Sequence, residues 1–291
     1  MKLQDFYNQA VRCAALVDPR AARGKIRSYP DSAILYGDPD KDVHKIMVGI
    51  DVEVGELLLA DRIRQREGLD LVIAHHPEGR AYASLHEVMQ LQVDLLESSG
   101  VSRSVAQKLL DERMQEVSRR VLPQNHTRPV DAARLLDLAF VCLHTVADNH
   151  VFAYVTALMN KKRPETVGDI VDILSGIPEY RLASEGFTGP RIIMGSVNRG
   201  PGKILVEMTG GTEGSKDVYD KLYKAGVRTL VSMHLSEEHF KKVKDANLNV
   251  VIAGHISSDT LGLNLLLDNI ERRSREKFEV IGCSGFNRII R

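Results

Sequence analysis

The stretch LVIAHHPEG, residues 71–79, ends an apolar run with two adjacent histidines, His75 and His76, and Pro77 follows them directly. Neighbouring side chains of a strand point to opposite faces of the sheet. Adjacent histidines can therefore share one site only where the strand has ended and the backbone turns. The stretch predicts a buried strand that delivers two imidazoles to a site at its carboxyl end.

The residues around this stretch alternate between extended and helical patterns. KIMVGID (45–51) is typical of a strand and VGELLLADRIRQREG (54–68) of a helix closed by glycine. Together with the strand LDLVIAH they form a βαβ unit, which predicts a parallel sheet. A long, charge-rich helical pattern covers residues 85–121, and LAFVCLHT (138–145) predicts another strand.

The alternation resumes after a turn-rich segment at residues 184–190. Apolar runs typical of strands follow, with helical patterns between most of them: RIIMGSV, KILVEM, VRTLVSM, NVVIAGH and FEVIGC. We therefore predict an α/β fold with two lobes, formed by residues 1–180 and residues 181–291.

Composition narrows the class of protein. The 291 residues are 43% apolar, enough for one large or two ordinary domains, and 39 basic residues balance 39 acidic ones. No overall charge therefore favours nucleic acid or an anionic membrane, and few aromatics and no recognisable nucleic-acid module are present. The three cysteines lack paired spacing, which predicts a reducing, cytoplasmic location and excludes a cysteine zinc site. No stretch approaches membrane-spanning length, and no signal peptide is expected.

Two further predicted strands end in histidine and are followed by a carboxylate. LAFVCLHTVADN places Asp148 four residues after His144, and LNVVIAGHISSD places Asp259 four residues after His255. Four residues is one helical turn, so each pair can face one point if a helix starts directly after the strand. Open α/β sheets bind ligands at the carboxyl ends of their strands. We therefore expect four histidines and two carboxylates to converge.

This set of side chains is typical of a metal site. Imidazole and carboxylate ligands suit zinc, manganese, iron or nickel, and six candidates exceed what one tetrahedral ion needs. Two divalent ions per chain are the natural interpretation, with one histidine of the pair for each ion. His234 ends VRTLVSM at the same topological position and is expected to line the pocket without binding metal. The alternative is that these are ordinary hydrogen-bonded histidines.

MTGGTEGS, residues 208–215, lies between a predicted strand and a predicted helix. Glycine-lined amides at such a place can cradle a phosphate, but the spacing matches neither GxGxxG nor the Walker pattern. A tight strand-to-helix turn is the favoured interpretation. The nucleophilic-serine pattern GxSxG is absent.

IAHHP, HTVADN and AGHISSD, in this order, resemble the three metal-binding motifs of the Nif-three-like dinuclear metal-centre family, also called GTP cyclohydrolase I type 2-like. The glycine stretch and TLVSMH resemble that family's glycine loop and next strand, so the resemblance runs from about residue 45 to the C-terminus. It implies two related three-layer α/β lobes with two divalent ions in the cleft between them, in a toroidal homohexamer. The implied metal ligands are His75, His76, Asp148, His255 and Asp259, with His144 a direct ligand or a supporting residue.

The sequence departs from the family at two places. The third motif more often ends in glutamate than in an aspartate such as Asp259, and the segment before His144 is lengthened by a helical insertion near residues 101–128. The resulting hypothesis is a metal-dependent hydrolase of a nucleotide or phosphoester, with His144 and His234 moving protons. The alternative is a non-catalytic protein that binds or delivers metal, or a hexameric interaction scaffold.

Overall fold

A computed structural model describes residues 1–291 and contains nine strands, thirteen α-helices and two short 3-10 helices. The strands are β1 (Ser32–Tyr36), β2 (Lys45–Gly49), β3 (Leu71–Ala74), β4 (Phe140–Leu143), β5 (Arg191–Met194), β6 (Lys203–Glu207), β7 (Val227–Ser232), β8 (Asn249–Ile252) and β9 (Glu279–Cys283). The helices of the first half are α1 (Leu3–Val17), α2 (Val54–Glu67), α3 (Gly79–Ala83), α4 (Leu85–Val88), α5 (Leu91–Ser98), α6 (Arg103–Val121) and α7 (Arg128–Leu136). Those of the second half are α8 (Thr145–Lys162), α9 (Val167–Ser175), α10 (Pro178–Glu185), α11 (Tyr219–Lys224), α12 (Glu237–Asp245) and α13 (His255–Ser274).

The strands form two sheets with the same plan. The first has the order β1-β4-β3-β2-β9 and the second β5-β8-β7-β6. In each sheet the strands run parallel except for one antiparallel edge strand, β1 beside β4 and β5 beside β8. Because parallel strands need long crossovers, the helices between them cover the faces of both sheets. The predicted α/β fold with parallel sheets is confirmed.

The chain returns to the first sheet at its end. Strand β9 pairs in parallel with β2, with Val48 opposite Gly282. This differs from the expected allocation of all of residues 181–291 to the second lobe. The apolar pattern of β9 indicates a strand but not its partner, and pairing covers the edge that β2 would otherwise expose. The boundary near residue 180 stays a prediction.

Helices α5 and α6 cover one face of the second sheet, although they lie in the first half of the chain. Their apolar residues, among them Val93 and Leu110, share a core with Leu230 of β7 and Val250 of β8. Val231, the neighbour of Leu230, points to the other face, where it packs with α8 and α9. Residues 101–121 of the insertion are therefore part of the second sheet's outer layer.

The strand ends carry the histidine motifs into turns. After β3 the backbone N–H of His75 donates to Gly49 O and that of His76 to Ile50 O, both at 2.9 Å. Helix α8 starts directly after His144 and helix α13 starts at His255, so both HxxxD pairs lie on the first turn of a helix. None of the helices is both long enough and apolar enough to span a bilayer.

Candidate metal centre

The four histidines of the strand-end motifs lie together at the carboxyl ends of both sheets. The ring centroid of His75 lies 5.3 Å from that of His76 and 5.0 Å from that of His144. The ring of His255, which comes from the second sheet, lies 5.1 Å from that of His76. The structure thus brings together the imidazoles that the sequence placed at three separate strand ends.

His75 is held by the backbone so that one nitrogen faces both carboxylates. Its Nδ1–H donates to the carbonyl oxygen of Leu143 at 3.1 Å. In the neutral ring this leaves the lone pair on Nε2, which lies 3.4 Å from Asp148 Oδ1 and 3.4 Å from Asp259 Oδ1. A lone pair facing two carboxylate oxygens is repulsive unless a cation lies between them.

His76 and His144 are oriented in the same way by carboxylates. The Nδ1–H of His76 donates to Asp51 at 2.7 Å, and its Nε2 lies 3.5 Å from Asp259 Oδ2. The Nδ1–H of His144 donates to Asp31 at 2.8 Å, and its Nε2 lies 3.8 Å from an oxygen of Asp148. A histidine that ligates metal commonly donates its other N–H to a carboxylate or carbonyl, and these rings show that arrangement.

The two carboxylates are buried without hydrogen-bond partners. Asp148 Oδ1 and both oxygens of Asp259 are shielded from solvent and accept no hydrogen bond. Asp259 Oδ2 also lies 3.6 Å from Nε2 of His255, one helical turn before it. A buried carboxylate without a partner is costly, so these oxygens need a positive charge beside them.

Two groups of side chains in this cluster fit a divalent ion. They are His75, His76 and Asp259, and His75, His144 and Asp148, and within each group the ligand atoms lie within 4.8 Å of one another. Buried imidazole and carboxylate ligands with unpaired oxygens are the donor set that such an ion binds. The residues present therefore fit a metal ion.

The charges of the cluster shift several pKa values. Burial alone would lower the pKa of His144, but Asp148 and Asp31 outweigh it and raise that pKa to about 9. Burial raises the pKa of Asp148 to about 6. The pKa of Asp259 falls well below its ordinary value because the neighbouring histidines, His75 first, outweigh its burial. Burial lowers the pKa of His255 to about 4. The carboxylates of the cluster are therefore stabilised in their charged form by positively charged neighbours.

His234 lies beside the cluster, as its strand-end position predicted. Its ring centroid is 4.6 Å from that of His255, and its Nδ1 is 3.6 Å from Glu213 Oε1. This contact with Glu213 is the main cause that raises the pKa of His234. The Glu213 pKa is lowered to about 2, since His234 and the backbone N–H of Ser236 outweigh its burial. Glu213 therefore orients the His234 ring.

The centre opens into two adjoining spaces. A cavity is lined by Asp148, Asp259 and residues 207–209 and 211–213, and a polar cleft of about 440 Å³ is lined by His76, Glu78, His234 and residues 124–126 and 128–129. Burial raises the pKa of Glu78 to about 7.

Six polar side chains that could contact a substrate are divided among different places: Glu78, Arg80, Thr209, Lys216, His234 and Glu237. Glu78 and His234 line the cleft, and Thr209 lines the cavity beside Asp148. Lys216 and Glu237 line a separate cavity at helix α6. The remaining candidate, Arg80, donates to the carbonyl oxygen of Ile34.

Sequence reasoning missed the carboxylates that orient the rings. Asp51 lies two residues after the end of strand β2, so the strand-end rule that found the histidines could have found it as well. Asp31 precedes the edge strand β1, which reaches His144 only because β1 pairs antiparallel with β4. Nothing in the local sequence predicts that pairing.

Comparison with known proteins supports the same fold. No protein-family model and no curated protein matches the chain. A NIF3 superfamily protein from Sphaerobacter thermophilus is similar in structure, with a TM-score of 0.80 and 29% identity over 97% of each chain. Reduced HcgD from Methanocaldococcus jannaschii has a TM-score of 0.56 at 15% identity, covering 97% of each chain. A Staphylococcus aureus protein, SA1388, has a TM-score of 0.51 at 14% identity, covering 97% of this chain and 96% of that one.

The last two similarities concern the fold alone. The first combines a high TM-score, nearly complete coverage of both chains and more than a quarter of identical residues. The three strand-end motifs stand at the carboxyl ends of the sheets of this same fold. The chain therefore shares its fold with this NIF3 superfamily protein over nearly its whole length.

Proposed function

We propose that the protein binds two divalent metal ions and acts as a metal-dependent hydrolase on a nucleotide or another phosphoester. The observation that carries this proposal is the pair of buried carboxylates, Asp148 and Asp259. Their unpaired oxygens face the Nε2 atoms of oriented histidines. Zinc, iron, manganese and nickel all suit this donor set.

The contacts suggest how the ligands divide between two ions. One imidazole nitrogen binds one ion, so His75 serves only one of the two groups that contain it. We assign His75 and Asp148 to one ion and His76 and His255 to the other. Asp259 would bridge them, since its Oδ1 faces His75 while its Oδ2 faces His76 and His255.

Two bound ions would supply Lewis-acid activation of a water molecule and of the bond that it attacks. The remaining chemistry belongs to side chains of this chain. Asp31 holds the Nδ1–H of His144, so His144 can take up and release a proton at Nε2. Glu213 supports His234 in the same way from the other side of the centre. His234 would protonate the leaving group, because 46% of its side chain is exposed towards the cleft.

The cleft beside the centre supports a polar substrate of nucleotide size. Its volume is about 440 Å³, and only two of its lining residues are apolar. Ring opening of GTP is the narrower form of this hypothesis, and phosphatase or phosphodiesterase action is the broader one. The homohexamer and the cytoplasmic location belong to the same proposal.

A screen of nucleotides and phosphoesters with metal-reconstituted protein tests the proposal. We expect turnover that chelation abolishes, and His76→Ala and His255→Ala should each lose both metal and turnover. His44→Ala is the control, since His44 is exposed and remote from the centre. Metal binding without turnover of any substrate would favour the alternative, a protein that delivers metal or serves as a scaffold. Unchanged metal content in both variants, with the fold intact by circular dichroism, would contradict the proposed ligands.

A further inference from the structure

The glycine loop, defined as residues 209–214, is fixed from outside by the helices that cover the second sheet. The side-chain amide of Gln92 on α5 donates to the carbonyl oxygens of Gly210 at 2.8 Å and Thr212 at 2.6 Å. Nε–H of Arg113 on α6 donates to the carbonyl oxygen of Glu213 at 3.0 Å. Three carbonyl groups of one short loop therefore point towards α5 and α6.

The N–H groups of the same peptides point the other way. The chain has no cis peptide bond, and in a planar trans peptide the N–H is opposite the C=O. The N–H groups of Gly211, Glu213 and Gly214 are thus directed away from α5 and α6. No backbone N–H between residues 209 and 215 donates a hydrogen bond within the protein.

Unpaired amides in this position indicate a ligand. Gly210 and Gly214 are buried, and buried backbone N–H groups nearly always have an acceptor. Gly210 has φ +99° and Gly211 φ +88°, which lets successive N–H groups turn towards one point. Consecutive amides in such a turn form a concave anion site.

The loop is also joined to the metal centre. Thr209 Oγ1 donates to Oδ1 of Asn149 at 2.7 Å, and Asn149 directly follows Asp148 on helix α8. Gly211 and Thr212 line the cavity that contains Asp148 and Asp259 and also line the cleft. An anion on the loop would therefore lie beside the proposed ions.

We propose that the glycine loop binds a phosphoryl group of the substrate through the backbone N–H groups of Gly211, Glu213 and Gly214. The claim that the phosphoryl group belongs to the substrate rests on the proposed function. The claim that the loop binds an anion does not. The nearby cations Arg113 and Lys216 are paired with Glu116 and Glu238. The loop thus offers amide dipoles rather than a free cation, and metal ions in the centre should increase its affinity for an anion.

The probe is inorganic phosphate, titrated calorimetrically into metal-reconstituted and chelated protein. Gln92→Leu removes the hydrogen bonds to the carbonyl groups of Gly210 and Thr212. Gln90→Leu is the matched control, because Gln90 is hydrogen-bonded to Gln107 and not to the loop. Arg113→Gln removes the hydrogen bond to the carbonyl group of Glu213. Its control is Arg119→Gln, because Arg119 is an exposed residue on the same helix. Circular dichroism and elemental analysis report the fold and the metal content of each variant.

We expect phosphate to bind the wild type, and Gln92→Leu to weaken it about tenfold at unchanged metal content, the loss typical of one charge-assisted hydrogen bond. Arg113→Gln should weaken it several-fold, and both controls should bind like the wild type. Equal binding by all variants would overturn the proposal, because the phosphate would then sit on the metal ions alone. Absence of binding to the wild type would overturn it as well. Loop-dependent binding by a protein that takes up no metal would instead leave the loop site standing and refute the metal centre.

Discussion

Nε2 of His75 lies 3.4 Å from Oδ1 of Asp259, and that carboxylate oxygen is buried without a hydrogen-bond partner. His75 donates its other N–H to the backbone, so in the neutral ring the nitrogen facing Asp259 carries the lone pair. Two acceptors that face each other in a buried place indicate a cation between them. This relationship joins the end of a strand in the first sheet to a helix that follows the second sheet.

Asp259→Asn should remove the carboxylate that we propose to be shared by two metal ions. The amide keeps the size of the side chain but loses the negative charge that His75 and His76 face, so we expect a loss of at least one ion per chain. Elemental analysis after reconstitution checks this. Asp245→Asn, an exposed aspartate at the end of α12, should bind metal like the wild type. Full metal content in Asp259→Asn would show that Asp259 is not a ligand.

The metal-free protein should lose stability as the pH rises from about 6.5 to 9. Asp148 and Asp31 raise the pKa of His144 to about 9, so its proton stabilises the folded state below that range and is lost within it. The expected fall in the free energy of unfolding is about 2–3 kcal/mol. Urea unfolding of chelated protein at several pH values measures it. Asp31→Asn should flatten the dependence, and a profile that rises in this range would contradict it.

Gly211→Ala should destabilise the protein by about 1–2 kcal/mol. Gly211 has φ +88°, and a Cβ there would lie 2.7 Å from Cγ1 of Val88. Gly55→Ala is the matched control, since Gly55 lies in helix α2 with no atom within 4 Å of its added Cβ. That change should be neutral or stabilise the fold by about 0.5 kcal/mol. Equal effects of the two substitutions on the urea midpoint would show that the loop is not constrained as described.

Leu110→Ala should destabilise the protein by about 2–4 kcal/mol. Leu110 of helix α6 is fully buried against the second sheet, so its removal leaves a cavity. Leu122→Ala, just beyond the same helix, removes a side chain that is 82% exposed and should change stability by less than about 0.5 kcal/mol. If Leu110→Ala were as mild as Leu122→Ala, helix α6 would not be an integral cover of that sheet.

The parts of this fold that the sequence predicts depend on local patterns. The apolar run before His75 and the glycine after α2 indicate a strand and a helix end without knowledge of any partner. The four-residue spacing between His255 and Asp259 predicts their common direction, because helix α13 starts at the histidine itself.

The parts of the fold that the sequence does not predict depend on contacts between residues that are far apart in the chain. Strand β9 could lie in either sheet, and its pairing with β2 is decided by a partner more than 200 residues away. Asp31 reaches His144 across an antiparallel edge, and Gln92 reaches the glycine loop because α5 crosses to the second sheet. No periodic pattern in the sequence indicates these contacts.

The most direct test of the metal centre is elemental analysis of untagged protein, as purified and again after chelation and reconstitution. The proposed ligand assignment predicts about two divalent ions per chain, lost on chelation and regained on reconstitution. No ion as purified and none regained would contradict the metal centre, and the buried carboxylates would then be balanced by protonated histidines alone.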